Sequence, residues 1–204
     1  NVYKRLKYFP FMNQQQVWNQ IAESWNNFRQ KPIKELNQLN WKNGKILDIG
    51  CGNCRNLLPF KNLDCYGIDF SKNMLKQAKK FARKNNFKVK LKQASAEKIP
   101  FKNNYFDYIL AIAILHHLKD PEPAIVEIYR VLKIGGKAYI SIWNKLQFKF
   151  LFKRKEAYIK WGNEKRYYHF ISFWDMKKLL KKYNLNIIES KLLGKNLEFL
   201  VEKI

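Results

Sequence analysis

Cysteine and histidine are scarce here: each occurs three times in 204 residues. Cys51, Cys54 and Cys65 form an odd, small set with no export signal ahead of them. That favours a reduced, cytoplasmic setting over a disulfide framework. No run of 18 apolar residues occurs, so no transmembrane helix and no membrane partner are expected. The basic, aromatic stretch at residues 1–16 lacks the continuous apolar core of a secretory signal. Acid is scarce too: 16 Asp+Glu stand against 40 Lys+Arg, a net charge of +24. Part of this excess accompanies abundant Asn and Ile and reflects base composition, yet a field of this size attracts polyanions whatever its origin. A phosphate backbone is the stronger partner class and an anionic membrane surface the weaker. Only 8 Gly and 6 Pro are spread along the chain, with no linker or repeat. With 47% apolar residues, the chain reads as one folded domain with a sizeable core.

What is present is an alternation of helix and strand patterns. Val17, Ile21, Trp25 and Phe28 share one helix face, and "KPIKELNQLN" reads as a second helix with Pro32 in its first turn. "KILDIG" and "DCYGID" read as buried strands, with a helix N-capped by Ser71 after the second. "KVKLKQA" reads as a more exposed strand and "FDYILAIAIL" as a buried one. "PEPAIVEIYRVLKIGG" reads as a helix closed at Gly135-Gly136, "KAYISIW" as a fifth strand. A basic, aromatic segment follows, then a helix and two strands. The fold class is α/β: a Rossmann-like, doubly wound, mainly parallel seven-stranded sheet with one antiparallel strand. The single domain 1–204 divides into a helical cap (1–42), a cofactor-binding core (43–143), a basic aromatic insert (144–170) and a C-terminal helix and strand pair (171–204). Ligands of such sheets sit at the carboxyl ends of the strands.

Those ends carry the candidate residues. Asp48-x-Gly50-x-Gly52 lets the backbone approach a ligand closely. Asp69 ends the second strand 17 residues beyond Gly52 and suits the two hydroxyls of a ribose. Phe70 follows it, and "QASAEKIPF" places Ser95, Ala96 and Glu97 at the third strand's end. The Cys51-x-x-Cys54 pair also fits a redox couple or half of a metal site, but neither explains Asp48, the glycines or Asp69. No metal is expected. The set resembles the class I S-adenosylmethionine-dependent methyltransferases over about residues 43–143. The resemblance implies S-adenosylmethionine as cofactor, held by Asp48, Gly50, Gly52, Asn53, Asp69, Phe70, Ser95, Ala96, Glu97 and Ala111. Ser95 departs from the Asp that many members carry.

"AIAILHHL" then falls where such enzymes receive the acceptor, and it holds two of the three histidines. No Asp/Asn-Pro-Pro-aromatic signature of base amine methylation stands there, nor a cysteine for attack on a pyrimidine. Together with Arg29-Gln30-Lys31-Pro32 and Arg166-Tyr167-Tyr168-His169, this segment resembles the tRNA wobble-uridine carboxymethyl methyltransferases from about residue 14 onward. That resemblance implies esterification of the carboxylate of 5-carboxymethyluridine, with the tRNA anticodon loop as partner and a small zinc-binding activator protein as a second. It implies His116, Arg29 and Arg166 as catalytic residues and Tyr167, Tyr168, His169 and His117 as substrate-binding ones. A carboxylate with a pKa of roughly 4 is already ionised, so no strong general base is needed. The runner-up activity is methylation of a quinone or small carboxylic acid. A silent RNA-binding module is the third reading, disfavoured by the intact cofactor residues. The basic segment from Lys145 to His169 is expected to dock RNA: Lys149, Lys153, Arg154, Lys155, Lys160, Lys165 and Arg166 to neutralise phosphates, and Phe148, Phe150, Phe152, Tyr158, Trp161, Tyr167 and Tyr168 to stack on unpaired bases.

Overall fold

The computed structural model describes residues 13–147 and 155–204. The helix α1 (Gln14–Phe28) is capped by Asn13, whose side chain accepts from Gln16 N–H. Seven strands form one sheet: β1 (Lys45–Ile49), β2 (Asp64–Asp69), β3 (Lys90–Gln93), β4 (Phe106–Ile112), β5 (Leu132–Trp143), β8 (Leu185–Lys191) and β9 (Asn196–Lys203). Their order is β3-β2-β1-β4-β5-β9-β8. The strands from β3 to β5 pair in parallel, and β9 runs antiparallel between β5 and β8. This is the expected sheet with its single reversed strand.

Both faces are covered because each helix has one apolar stripe to bury. On one face, Ala124, Ile125 and Ile128 of α3 (Glu122–Val131) and Met176 and Leu180 of α4 (Phe173–Lys182) join the main core. On the other, Ala78, Phe81 and Ala82 of α2 (Lys72–Lys84) pack with Leu36, Leu57 and Phe60. Ile21 and Ala22 of α1 close over Met74 of α2. The strand order reverses between β1 and β4, so the ends of β1, β2 and β4 surround the switch point.

Four details depart from the sequence reading. The second N-terminal helix is only a 3-10 turn over Lys34–Gln38, because it has one buried residue, Leu36, and no stripe to hold a longer helix. The α3 helix stops at Val131, not at the glycine pair. Leu132 instead pairs with Phe106, and Gly135 at φ 73 turns within the strand. Phe28, placed on the apolar face, is 78% exposed and meets the edge of Trp161. The insert forms a separate hairpin, β6 (Glu156–Trp161) with β7 (Glu164–His169), turning at Gly162 with φ 59. Residues 148–154 of the expected docking segment lie outside the described residues.

Candidate functional site

The loop after β1 is shaped for backbone approach. Gly50 and Gly52 adopt φ 64 and 55. A Cβ on Gly50 would lie 2.8 Å from Ile114, and one on Gly52 would lie 2.9 Å from the indole of Trp25. Either substitution therefore meets both strain and a clash. Cys54 also stands left-handed, at φ 63, without a glycine's freedom. The loop is tied to β2: Cys51 N–H donates to Ile68 O at 2.9 Å, and Gly52 N–H donates to Asp69 Oδ2 at 3.0 Å. The other Asp69 oxygen accepts from Ser71 N–H at 2.8 Å. Both carboxylate oxygens are thus oriented and keep a lone pair each for further donors. Burial pushes the Asp69 carboxyl up to about 6, against the pull of these two N–H groups.

Asp48 lies deeper. It is 1% exposed, and its Oδ2 has no hydrogen-bond partner. Burial pushes its carboxyl up to about 8, with Arg55 opposing and Asp69 adding to the rise. An orphaned buried carboxylate beside a glycine loop fits the ammonium of an amino-acid cofactor end. A cavity of about 600 Å³ opens at the ends of β2 and β3, lined by Asn13, Gln14, Phe70, Gln93, Ala94 and Ser95. Its position and mixed lining fit a nucleobase. These three features fit S-adenosylmethionine part by part.

Not every expected cofactor residue joins them. Asn53 points its amide at α1, donating to Asn26 Oδ1 and Arg29 O, both at 2.7 Å. Ala96 and Ala111 lie in the main core, 7% and 0% exposed, so only their backbone is available to a ligand at the strand ends. Glu97 is exposed and donates its N–H to Ser95 Oγ at 3.2 Å. The three cysteines are buried free thiols, and burial contributes to raising the pKa of each. Among the described residues, no three His, Cys, Asp or Glu side chains converge as metal ligands.

The residues expected on the acceptor side gather beneath the hairpin. His116 is 1% exposed and stacks on Tyr168 at 5.2 Å. Its Nδ1 accepts from Trp143 N–H at 3.2 Å, so the ring proton sits on Nε2, which is buried without a partner. His117 is the opposite tautomer: its Nδ1–H donates to Tyr167 O at 2.8 Å, leaving a lone pair on Nε2. Burial, His117 and Arg166 hold His116 well below its ordinary pKa, and burial takes His117 down to about 3. Both rings are neutral at physiological pH and neither is a strong base.

Arg166 is 5% exposed, takes part in none of the ion pairs among the described residues, and has a buried Nε without a partner. Its guanidinium lies 4.9 Å from the Trp161 ring centre, 5.4 Å from Tyr168 and 5.8 Å from Trp18. Burial lowers its pKa, and Arg29 stands close enough to lower it further. Tyr167 and Tyr168 are 2% and 0% exposed, so the expectation that these rings face outward to stack on bases is corrected. Their alternating partners in the hairpin need apolar cover, and the core supplies it. His169 is not at the centre: its Nδ1–H donates to Lys119 O at 2.9 Å and pins the hairpin's end.

The residues missed by sequence reasoning are mostly tryptophans. Trp25 covers Gly52, and Trp18 meets Trp25 at 6.5 Å and His117 at 4.9 Å. Their spacing of seven on α1 was the available signal. Arg55 was the other. It donates to Lys31 O, and burial then Arg29 lower its pKa to about 10.

Comparison with known proteins supplies the remaining observation. The model of the methyltransferase domain family matches residues 47–140. Residues 47–140 thus carry a methyltransferase domain, and the sheet around them has the fold of solved S-adenosylmethionine-dependent methyltransferases. A tRNA (carboxymethyluridine(34)-5-O)-methyltransferase of Xenopus tropicalis is 30% identical over 71% of this chain and 23% of its own length. A ubiquinone biosynthesis O-methyltransferase of Pelagibacter ubique is 37% identical over 59% of this chain and 51% of its own. The chain thus spans about a quarter to a half of these two relatives. The solved methyltransferase in complex with the Haloferax volcanii Trm112 methyltransferase activator superposes with a TM-score of 0.69. It covers 93% of this chain and 97% of that one at 13% identity, a likeness of fold. No described helix is long and apolar enough to cross a membrane.

Proposed function

We propose that this methyltransferase esterifies the carboxylate of 5-carboxymethyluridine at the wobble position of tRNA. The observation that carries this reading is Arg166, a buried guanidinium with no acidic partner, beside the neutral Nε2–H donor of His116. Burying an unpaired charge is costly. An anionic acceptor supplies the missing counter-charge. The absence of a base points the same way. A phenolic quinone precursor, with a pKa near 10, needs its proton removed. His117 is held neutral to about pH 3 and is a poor base. A carboxylate arrives ionised.

Asp48 would hold the ammonium of S-adenosylmethionine, Asp69 its ribose, and Phe70 with Ser95 its adenine. Bound there, the cofactor supplies an electrophilic methyl group. The chain's own residues do the rest by orientation. Arg166 and His116 Nε2–H grip one carboxylate oxygen, leaving the other free and undiminished as nucleophile. Trp18, Trp143, Trp161 and Tyr168 exclude water, which strips the attacking oxygen of competing hydrogen bonds. Arg29, exposed at the end of α1, draws in a neighbouring phosphate. A cytoplasmic small zinc-binding activator belongs to the same proposal. The exposed edge strand β3 is where such a partner would add a strand.

The similarity to ubiquinone biosynthesis enzymes favours a second reading, O-methylation of a free phenol. One experiment separates them: tRNA lacking the wobble ester is incubated with labelled S-adenosylmethionine, and its nucleosides are analysed by mass spectrometry. A labelled methyl ester lost in mild alkali is expected. Label on a free quinone precursor, with none on tRNA, refutes the proposal.

A further inference from the structure

Helix α2 carries Lys72, Lys76, Lys79, Lys80, Arg83 and Lys84 and no acidic residue. All six cations are exposed. None takes part in an ion pair: the pairs among the described residues involve Lys90, Arg130, Lys133 and Lys182. A lysine-rich composition does not by itself produce this. Helix α3 has Glu122 and Glu127, and α4 has Asp175, with Lys182 paired to Glu122. The amphipathic stripe of Met74, Ala78, Phe81 and Ala82 fixes which way the cations point. Arg83 and Lys84 also complement the C-terminal dipole of α2, but Lys72, Lys76 and Lys79 lie too far from that end to do so.

Between α1 and α2 runs a groove of about 360 Å³, with Asn26, Asn27, Gln30, Gln77, Lys80 and Lys84 along its walls. Amide donors and ammonium groups together are the chemistry that receives phosphate oxygens. The groove leads to Arg29, next to Gln30. Arg29 in turn lies close enough to Arg55 and Arg166 to lower the pKa of both. A line of cations therefore connects Lys84 to the acceptor end beside His116. The only carboxylate on either helix is Glu23, one turn before Asn26.

We infer that the groove between α1 and α2 is the track for the phosphate backbone of the RNA substrate, leading its acceptor nucleotide to Arg29 and Arg166. The inference rests on the tRNA reading above. It moves the principal docking surface from the insert to the opposite side of α1.

The test measures binding of a synthetic anticodon stem-loop by the full chain across a salt series. The variants are Lys80→Ala/Lys84→Ala and, as a charge-matched control, Lys178→Ala/Lys181→Ala on α4. Each lost phosphate contact lowers the log–log salt slope by roughly 0.7–0.9, so the groove variant is expected to lose about 1.4–1.8. The control keeps its slope, and both variants keep wild-type melting temperature and S-adenosylmethionine affinity. A groove variant with the wild-type slope overturns the inference while leaving the tRNA reading intact. Equal slope losses in both variants also overturn it, because the attraction is then diffuse. A wild-type chain with no affinity for the stem-loop overturns the tRNA reading and the track with it. If the groove variant loses only binding to phosphatidylserine vesicles, the surface is a membrane face instead.

Discussion

Replacing Asp69 by Asn separates what the carboxylate does for the fold from what it does for the cofactor. In the wild type its two oxygens accept from Gly52 N–H at 3.0 Å and Ser71 N–H at 2.8 Å. Asn keeps one acceptor and turns its NH2 toward the other N–H, leaving a buried donor unsatisfied at a cost of about 1–3 kcal/mol. Against this stands the cost of the buried charge. The Asp69 carboxyl is pushed from 3.8 up to about 6, and each pKa unit is worth about 1.36 kcal/mol, so ionisation costs the fold about 3 kcal/mol at pH 7. The sign follows from the direction. The folded pKa is raised, so the penalty is absent below about 4, grows as the pH rises, and is complete above about 6. Asn removes it. The two effects offset to within about 2 kcal/mol, and the variant melts close to the wild type at neutral pH. Cofactor affinity has no such compensation. Charge-assisted hydrogen bonds to a ribose are worth about 1.5–3 kcal/mol, a ten- to hundredfold loss. Thermal melting at pH 5 and 7.5 and calorimetry with S-adenosylmethionine read both quantities. A variant that unfolds by far more than 2 kcal/mol, or that binds cofactor as the wild type does, refutes this reasoning.

Affinity for S-adenosylmethionine is expected to rise between pH 6 and 8 as Asp48, held up to about 8 by burial, becomes able to pair with an ammonium; Asp48→Asn should bind weakly and lose this pH dependence in calorimetry. His116→Asn keeps an acceptor for Trp143 N–H but removes the Nε2–H donor, and kcat should fall about a hundredfold with cofactor affinity unchanged. An equal fall in affinity would move His116 out of the acceptor site. Arg166→Lys keeps the charge but loses the planar fork and its contact with Trp161, so esterification should drop at least about tenfold. Full activity of that variant would remove the anion-gripping role. Cys54→Gly relieves the left-handed backbone by about 1 kcal/mol and gives up a buried thiol of similar worth, so the melting temperature should stay within a few degrees.

The parallel core was legible because its signals are local. Buried strands, the glycines at 50 and 52, and the acid at 69 each declare themselves within a few residues. The hidden features depend on long-range packing. Nothing adjacent to Leu132 announces that it pairs with Phe106 instead of extending α3. Tyr167 and Tyr168 have the composition of a base-stacking strip, and only the hairpin's docking on His116 and Trp143 shows them to be core. Trp25 matched an apolar helix stripe, and its sequence neighbours do not disclose that the stripe covers Gly52.

The hairpin and α1 are fastened to one another as well as to the sheet. Gln14 donates its amide to Lys165 O and accepts from Tyr167 N–H at 2.8 Å, while Trp161 Nε1–H donates to Ser24 Oγ at 2.9 Å. Both segments lie outside residues 47–140, the stretch shared with the wider family. Under the function proposed above, acceptor choice would be carried by two pieces of chain, more than a hundred residues apart, that act as a single exchangeable unit. A chimera that imports a foreign hairpin onto this α1, or the reverse, would inherit mismatched fasteners at both ends. On that proposal, re-targeting the enzyme to a new acceptor would require that the pair be moved together.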